Sequence, residues 1–411
     1  MAKKEDIALY EKEASNKKAE KGLATDAAEK NASGKDGALA AKGSQDEAKD
    51  SISEAANTVF RAKVSFKAKM FIAIFVLAAV FLSLFLGRYG LNPIEVIQAA
   101  GSYIRKAFIC LGLLFTNPDA IPAGGIPMTD PERILWRIRL PRVLLVMLVG
   151  AALAVAGASY QGMFKNPLTS PDLLGASAGA SLGACLGLLW SWSGPGVQLL
   201  AFIGGVAAVG MAMWLNKLVD YDPTLGLVLA GILVSTLFQS GMSIIKLVAD
   251  GDDKLPEITF WLMGSFSRTR VEDLLVAIPI LVGFIILLTQ SWKLNVLSFG
   301  DEEARAMGIN TRHTRFWVIL GSTLVTSASV AVAGIIGWIG LVIPHLARAI
   351  VGPNYRVLLP TSMLIGAGFL LLVDNLARLL MSIEIPIGIL ISILGVPFFI
   401  FIFKKNMRGW N

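Results

Sequence analysis

Several apolar stretches in this chain run to eighteen residues or more, and nothing else in it constrains the fold as tightly. A helix of that length spans the roughly 30 Å of hydrocarbon in a bilayer. Lipid offers no partner for a free backbone N–H or C=O, so such stretches must close their hydrogen bonds internally as helices. The period-2 alternation of a barrel strand is absent. Composition agrees: 55% of the 411 residues are hydrophobic and only 16% charged, where soluble domains hold about 25% charged residues.

Ten spans are expected: about Met70–Leu86, Arg142–Phe164, Leu173–Trp190, Val197–Leu215, Leu225–Leu247, Leu274–Leu288, Phe316–Ile335, Gly337–Ile350, Val357–Leu380 and Ile387–Phe403. Between the first two, residues 88–141 read as a long connection with an amphipathic stretch at Pro93–Tyr103 and a Pro/Gly-rich piece at 117–131. The fold class is therefore an all-α polytopic membrane protein. Residues 1–60 differ from the rest, with ten lysines against twelve acidic residues and little to bury. They read as a disordered, charged N-terminal extension ahead of a ten-helix domain at 61–411. No short apolar region with a small-residue cleavage site starts the chain, so no cleavable signal is expected.

The net charge of +7 would suit nucleic-acid binding in a soluble protein. Here the lysines and arginines lie between apolar runs, where headgroups and the positive-inside rule account for them. Arg61, Lys63, Lys67 and Lys69 before the first span, and Lys404, Lys405 and Arg408 after the last, put both termini in the cytoplasm of a multi-pass plasma-membrane protein. Cys110 and Cys185 both sit in apolar surroundings and read as free thiols.

Four local patterns carry functional expectations. Gly175, Gly179, Gly183 and Gly187 recur every fourth residue and make one smooth helix ridge, for close helix packing or for lining a pathway. Ala154–Gly157 and Ala331–Gly334 repeat the tetrapeptide Ala-Val-Ala-Gly half a domain apart, a faint sign of related halves. The segment Gly300-Asp301-Glu302-Glu303-Ala304-Arg305-Ala306-Met307-Gly308 reads as a short amphipathic helix capped at Asp301 and stopped by glycine. His345 has only His313 for company in the whole chain, so a hydrogen-bonding role near a helix end is expected rather than metal ligation.

Three ordered blocks go further. Arg139-Leu-Pro-Arg142 leads into Gly150-Ala-Ala-Leu-Ala-Val-Ala-Gly157, Gln161 and Asn166-Pro167-Leu168. Gly340-Leu-Val-Ile-Pro-His345-Leu-Ala-Arg348 follows, then Glu384-Ile-Pro-Ile-Gly388 with Gly395-Val-Pro397. Over about residues 70–405 these blocks resemble the FecCD family of ABC importer permeases, which import ferric siderophores, haem and vitamin B12. The resemblance implies the type II importer fold with its pathway at a dimer interface, a second permease subunit (a homodimer or close heterodimer), two ABC ATPase subunits and a periplasmic or lipid-anchored substrate-binding protein. It implies residues 300–308 as the coupling helix that docks on the ATPase and Asn166, Pro167 and Leu168 as a cytoplasmic gate. Arg139, Arg142 and Arg378 match the arginines that pair with glutamates of the binding protein, although Arg378 can also pair with Asp374 one helical turn away. No catalytic residue, metal or cofactor is expected on this chain, since ATP and magnesium would sit on the partner.

The absences fit. There is no Gly-x4-Gly-Lys-Ser/Thr phosphate loop, so energy must come from elsewhere, and there is no protease-like His-Glu-x-x-His. The alternative, an ion-coupled secondary transporter of a small solute, would place ionisable residues near the bilayer midplane. The expected span centres are almost free of them.

Overall fold

The computed structural model describes residues 65–87, 90, 92–116, 127–218 and 223–406. The charged extension at 1–60, Arg61, Lys63, Arg408 and most of the Pro/Gly-rich piece lie outside the described residues, as does the Cys110 side chain. Among the described residues there is helix and no strand. The long or apolar helices are α1 (Phe66–Phe85), α2 (Pro93–Thr116), α3 (Asp130–Phe164), α4 (Ala176–Leu189), α5 (Gly194–Leu218) and α6 (Pro223–Val248). After them come α7 (Lys254–Leu262), α8 (Ala277–Thr289), α9 (Ser291–Leu297), α10 (Asp301–Ala306), α11 (Thr311–Ala333), α12 (Ile339–Val351), α13 (Tyr355–Leu379) and α14 (Ile387–Asn406). Among the described residues seven helices are long and apolar enough to cross a membrane, and three shorter apolar ones, α4, α12 and the start of α14, bring the total to the ten expected spans.

The connection after α1 is more helical than its sequence suggests. The amphipathic stretch continues to Thr116, and the second span begins at Asp130 rather than Arg142. Thr129 opens it with a capping box, in which Glu132 accepts from the Thr129 N–H at 2.8 Å. Glu132 is buried and also takes Lys106 Nζ at 2.9 Å and Ser102 Oγ at 2.5 Å, tying α2 to α3. Residues Ile134–Arg139 then wind as a π-helix, with the Leu140 N–H reaching the carbonyl of Leu135. Pro141 supplies no N–H and its ring crowds the preceding turn, and the wider π turn absorbs both faults without ending the helix.

Helix α3 is the axis of the bundle. From Ala151 to Met163 every side chain is buried. Apolar burial draws helices together only weakly in lipid, so packing depends on how closely backbones approach. Gly157 faces Gly340 of α12, and Gly150 faces Gly366 of α13; a Cβ added at either position would collide with the opposite carbonyl oxygen. The glycine ridge does the same between α4 and α5, where Gly179 lies on Gly204 and Gly183 on Leu200. Gly187 meets Val197, and Gly175 precedes the helix at φ 85°. The ridge is thus a packing face within this chain. The Ala-Val-Ala-Gly echo has no structural counterpart: Gly157 is a mid-helix contact, whereas Gly334 ends α11 at φ 71°.

Gly157→Val should lower the melting temperature of the detergent-solubilised protein sharply, because overpacking against backbone costs about 1–3 kcal/mol or more. Exposed Gly210, where an added Cβ meets nothing, provides the matched control and should tolerate alanine.

Candidate functional site

Two clusters of polar side chains stand along α3, one around Arg139 and Arg142 and one just past its C-terminal end, about 35 Å apart at 1.5 Å per residue. The first gathers the three arginines singled out in the sequence. Arg139, held just behind the π turn, donates to the Leu84 carbonyl at 2.6 Å and so satisfies the end of α1, whose last turn has no basic residue of its own. Arg142 bonds Asp374 through Nε and Nη2 at 3.2 and 2.9 Å and Glu384 through Nη1 and Nη2 at 3.1 and 2.9 Å. Arg378 meets the other oxygen of Asp374 at 3.1 Å, the i,i+4 pair visible in the sequence, and also bonds Ser83 at 2.9 Å and Asn375.

Asp374 is fully buried, and Arg142 and Arg378 are each 8% exposed. A carboxylate in such a place is tolerable only because two guanidiniums saturate it. These arginines do not stand free on a surface. With Arg133, Asp130, Glu384 and Gly87 they line an open cavity of about 400 Å³. Glu384, from the Glu-Ile-Pro-Ile-Gly block, was not marked as a site residue by its sequence. It sits 242 residues from Arg142, and no local signal links the two.

The second cluster lies at the C-terminal end of α3. Residues 300–308 form the expected short helix, α10, with Ala304 and Ile309 buried in the main core and Glu302, Glu303, Arg305, Met307 and Gly308 exposed. Asp301 is its first helical residue rather than its cap. That place belongs to Gly300 at φ 145°, with the Glu303 carboxylate folded back over it. Gly308, at φ 80°, has nothing within 4 Å of where a Cβ would be, so it closes the helix on an open surface.

The preceding helix α9 is fastened to α13 by neutral bonds. Asn295 Nδ2 donates to Asn354 at 2.9 Å, and Asn295 Oδ1 accepts from the Tyr355 N–H at 2.8 Å. Asn166, Pro167 and Leu168 are exposed just past α3, and the Asn166 carboxamide accepts from the Leu168 N–H at 2.9 Å, so it shapes its own turn. Gln161, one turn earlier, bonds the Leu341 carbonyl and Arg348, joining the first block to the second. His345 lies in the middle of α12, not near its end, and its Nδ1 is buried without a partner; the expected hydrogen bond is not formed.

Between the two clusters the helices carry little charge. In α3 no Asp, Glu, Lys or Arg follows Arg142, and in α1 and the later apolar helices each lies within about two turns of a helix end.

Residues 74–405 match the FecCD transport family. The chain is 36% identical over 332 residues to the molybdate import system permease protein MolB of Haemophilus influenzae, covering 80% of this chain and 93% of that one. It is 41% identical over 290 residues to the hemin transport system permease protein HmuU of Yersinia pestis, covering 68% and 86%. Identity to the cobalamin import system permease protein BtuC of Halobacterium salinarum is 38% over 284 residues, covering 69% and 76%. A solved structure described as an inward-facing conformation of an ABC transporter, assigned to the metal-chelate type, superposes with a TM-score of 0.69 at 34% identity, covering 82% of this chain and 98% of that one.

Asp374→Asn keeps the shape but leaves two buried guanidiniums without their shared anion. Removing one partner of a buried ion pair costs about 3–5 kcal/mol, so thermal unfolding in detergent should show a drop of many degrees. Arg133→Gln, at an exposed i,i+3 pair with Asp130, should change stability by less than about 1 kcal/mol in the same assay.

Proposed function

The chain belongs to the FecCD transport family and is the membrane-spanning permease of an ABC importer, and we propose that it moves a metal-bearing compound, an iron(III) chelate, haem or a corrinoid, using ATP hydrolysed on a separate ATPase that grips α10. The observation that carries the coupling role is the placement of two different clusters about 35 Å apart along one buried helix. An arginine-lined cavity suits an acidic docking partner at one end, and a short exposed helix with a bare glycine at its stop suits a mechanical contact at the other.

In this reading the N- and C-termini and α10 are cytoplasmic and the arginine end faces outward. Lys67 and Lys69 at the start of α1, and Lys293, Arg305, Arg312 and Arg315 around α10, support that orientation. Arg139, Arg142 and Arg378 then form the floor on which carboxylates of a substrate-binding protein dock, a contact that steers encounter and fixes register. Asn166, Pro167 and Leu168 are the cytoplasmic gate. The exposed apolar face of α6, with Leu229, Leu233, Leu237 and Ile244, is covered by lipid and by a second permease subunit across the pathway.

The clean span centres argue against an ion-coupled carrier, a class that usually places ionisable residues near the bilayer midplane. Substrate class rests on the relatives, whose names include hemin, cobalamin and Fe(3+)-citrate. Molybdate is the second reading, favoured by a relative that aligns with 80% of this chain.

Proteoliposomes holding the permease with its ATPase and binding protein decide among these when offered haemin, ferric citrate, cyanocobalamin and molybdate in parallel. ATP-dependent accumulation of one of the first three is expected. Accumulation of molybdate alone would overturn the substrate class, and uptake driven by an ion gradient without ATP would overturn the mechanism. Glu303→Lys or Gly308→Trp should insert normally yet lose ATP-driven uptake by roughly 5- to 150-fold, the span of 1–3 kcal/mol in coupling free energy. Affinity for the binding protein should fall as ionic strength rises from 0.01 M to 0.1 M, where screening shortens to about 10 Å; a salt-independent affinity would remove the docking role from the arginines.

A further inference from the structure

The side chain that joins α10 to the rest of the bundle by charge is Asp301. Its Oδ2 takes Arg315 Nη2 of α11 at 2.7 Å. Its Oδ1, buried and without a hydrogen-bonded partner, faces Lys165 Nζ at 3.3 Å as a charge contact. One carboxylate therefore touches the end of α3 and the start of α11, which are among the most enclosed spans of the chain. Lys165 is also the residue immediately before the Asn166-Pro167-Leu168 turn.

The backbone at Lys165 makes the contact more telling. Helix α3 ends in a Schellman motif, with the Asn166 N–H on the Gln161 carbonyl at 3.2 Å and the Lys165 N–H on the Gly162 carbonyl at 3.4 Å. Lys165 sits at the left-handed position of that motif, φ 51° and ψ 30°, where glycine is the usual occupant because a Cβ is strained there. Lysine holds a place glycine would fill at lower cost, and strain of this kind persists where a side chain is needed. The side chain present reaches the coupling segment. The neutral bonds of Asn295 fasten α9 to α13, whereas this ionic contact runs to the gate turn and is more exposed, with Lys165 at 39%, Asp301 at 26% and Arg315 at 17% of their side chains. A partly solvated ion contact can be remade in a new geometry more readily than a buried one.

We propose that Asp301 is a positioning residue that transmits displacement of α10 to the gate turn through Lys165 and to α11 through Arg315. The proposal rests on reading 300–308 as the segment that meets the ATPase. When α10 moves, the carboxylate carries the lysine with it, and the left-handed turn swings Asn166, Pro167 and Leu168 as one piece.

The test uses the permease purified with its ATPase in nanodiscs, with Cys110 and Cys185 replaced by alanine and Leu168→Cys as reporter, a position half exposed. The readout is the ratio of maleimide labelling rates with and without ATP–vanadate trapping, normalised to ATP hydrolysis in the same sample. Lys165→Gly relieves the backbone strain and keeps the helix cap. A merely structural lysine would leave the ratio unchanged and raise thermal stability, whereas the proposal expects the nucleotide-dependent change to shrink by about two- to fivefold, the scale of one partly exposed ion contact. Lys165→Arg, which keeps the charge and reach, should restore it.

A full response in Lys165→Gly overturns the proposal. Gly308→Trp in the same background separates the two levels. If it abolishes the response while Lys165→Gly does not, the coupling segment stands and the Asp301 link falls. If neither variant changes the response, the coupling reading itself falls and takes the link with it.

Discussion

Backbone-to-backbone contact around α3 is the constraint from which the rest of the arrangement follows. In lipid an apolar side chain gains little by leaving its surroundings, so helices associate through close packing and hydrogen bonds. The contacts of Gly157 with Gly340 and of Gly150 with Gly366 bring α12 and α13 against the same helix, each with no room for a methyl group. Once those two crossings are fixed, Gln161 lies within reach of Leu341 and Arg348, and Arg142 within reach of Asp374 and Glu384. The polar clusters on either side of these crossings are consequences of how the helices pack between them.

Span number was legible in the sequence because length and apolarity alone decide whether a helix can cross a bilayer. The beginning of the second span was not. Pro131, Arg133, Arg137, Arg139 and Pro141 read as loop, yet a capping box, a buried Glu132 with three partners and a π turn keep residues 130–142 helical. Each of those supports depends on a partner supplied by folding, and a window of sequence contains only one side of it. The ridge of glycines in α4 was legible as a close-contact face, but its partner, α5, is set by the fold.

The candidate sites divide along the same line. The Asp374–Arg378 pair is four residues apart and follows from helical periodicity. Arg142 with Asp374 and Glu384, separated by 232 and 242 residues, and Lys165 with Asp301, separated by more than a hundred, have no local signature. The blocks that resemble the FecCD family marked Arg139, Arg142 and residues 300–308 without showing what they touch. Asp301 changed meaning most. As a cap it would only have stabilised its own helix; as the first helical residue it points a carboxylate at two other elements.

The two clusters along α3 are built from the same chemistry at different depths, and depth sets what each can do. At the arginine end Asp374 is sealed between two guanidiniums, and breaking either pair strands a buried charge at a cost of about 3–5 kcal/mol. That end holds one geometry. At the other end the contacts of Asp301 are partly solvated, and exposed pairs contribute about 0–1 kcal/mol. Water can take over either partner during a movement, so the contact can shift without the bundle losing stability. A helix clamped by a buried ion network at one end and tethered by a solvated one at the other can pivot about the clamp. The close glycine crossings in between resist separation of the helices, because a void there would forfeit dispersion contacts with nothing to replace them. In the proposed coupling, motion at α10 becomes tilt of a packed unit rather than local unfolding, provided the clamp is the stronger of the two joints. The burial of Asp374 makes it so.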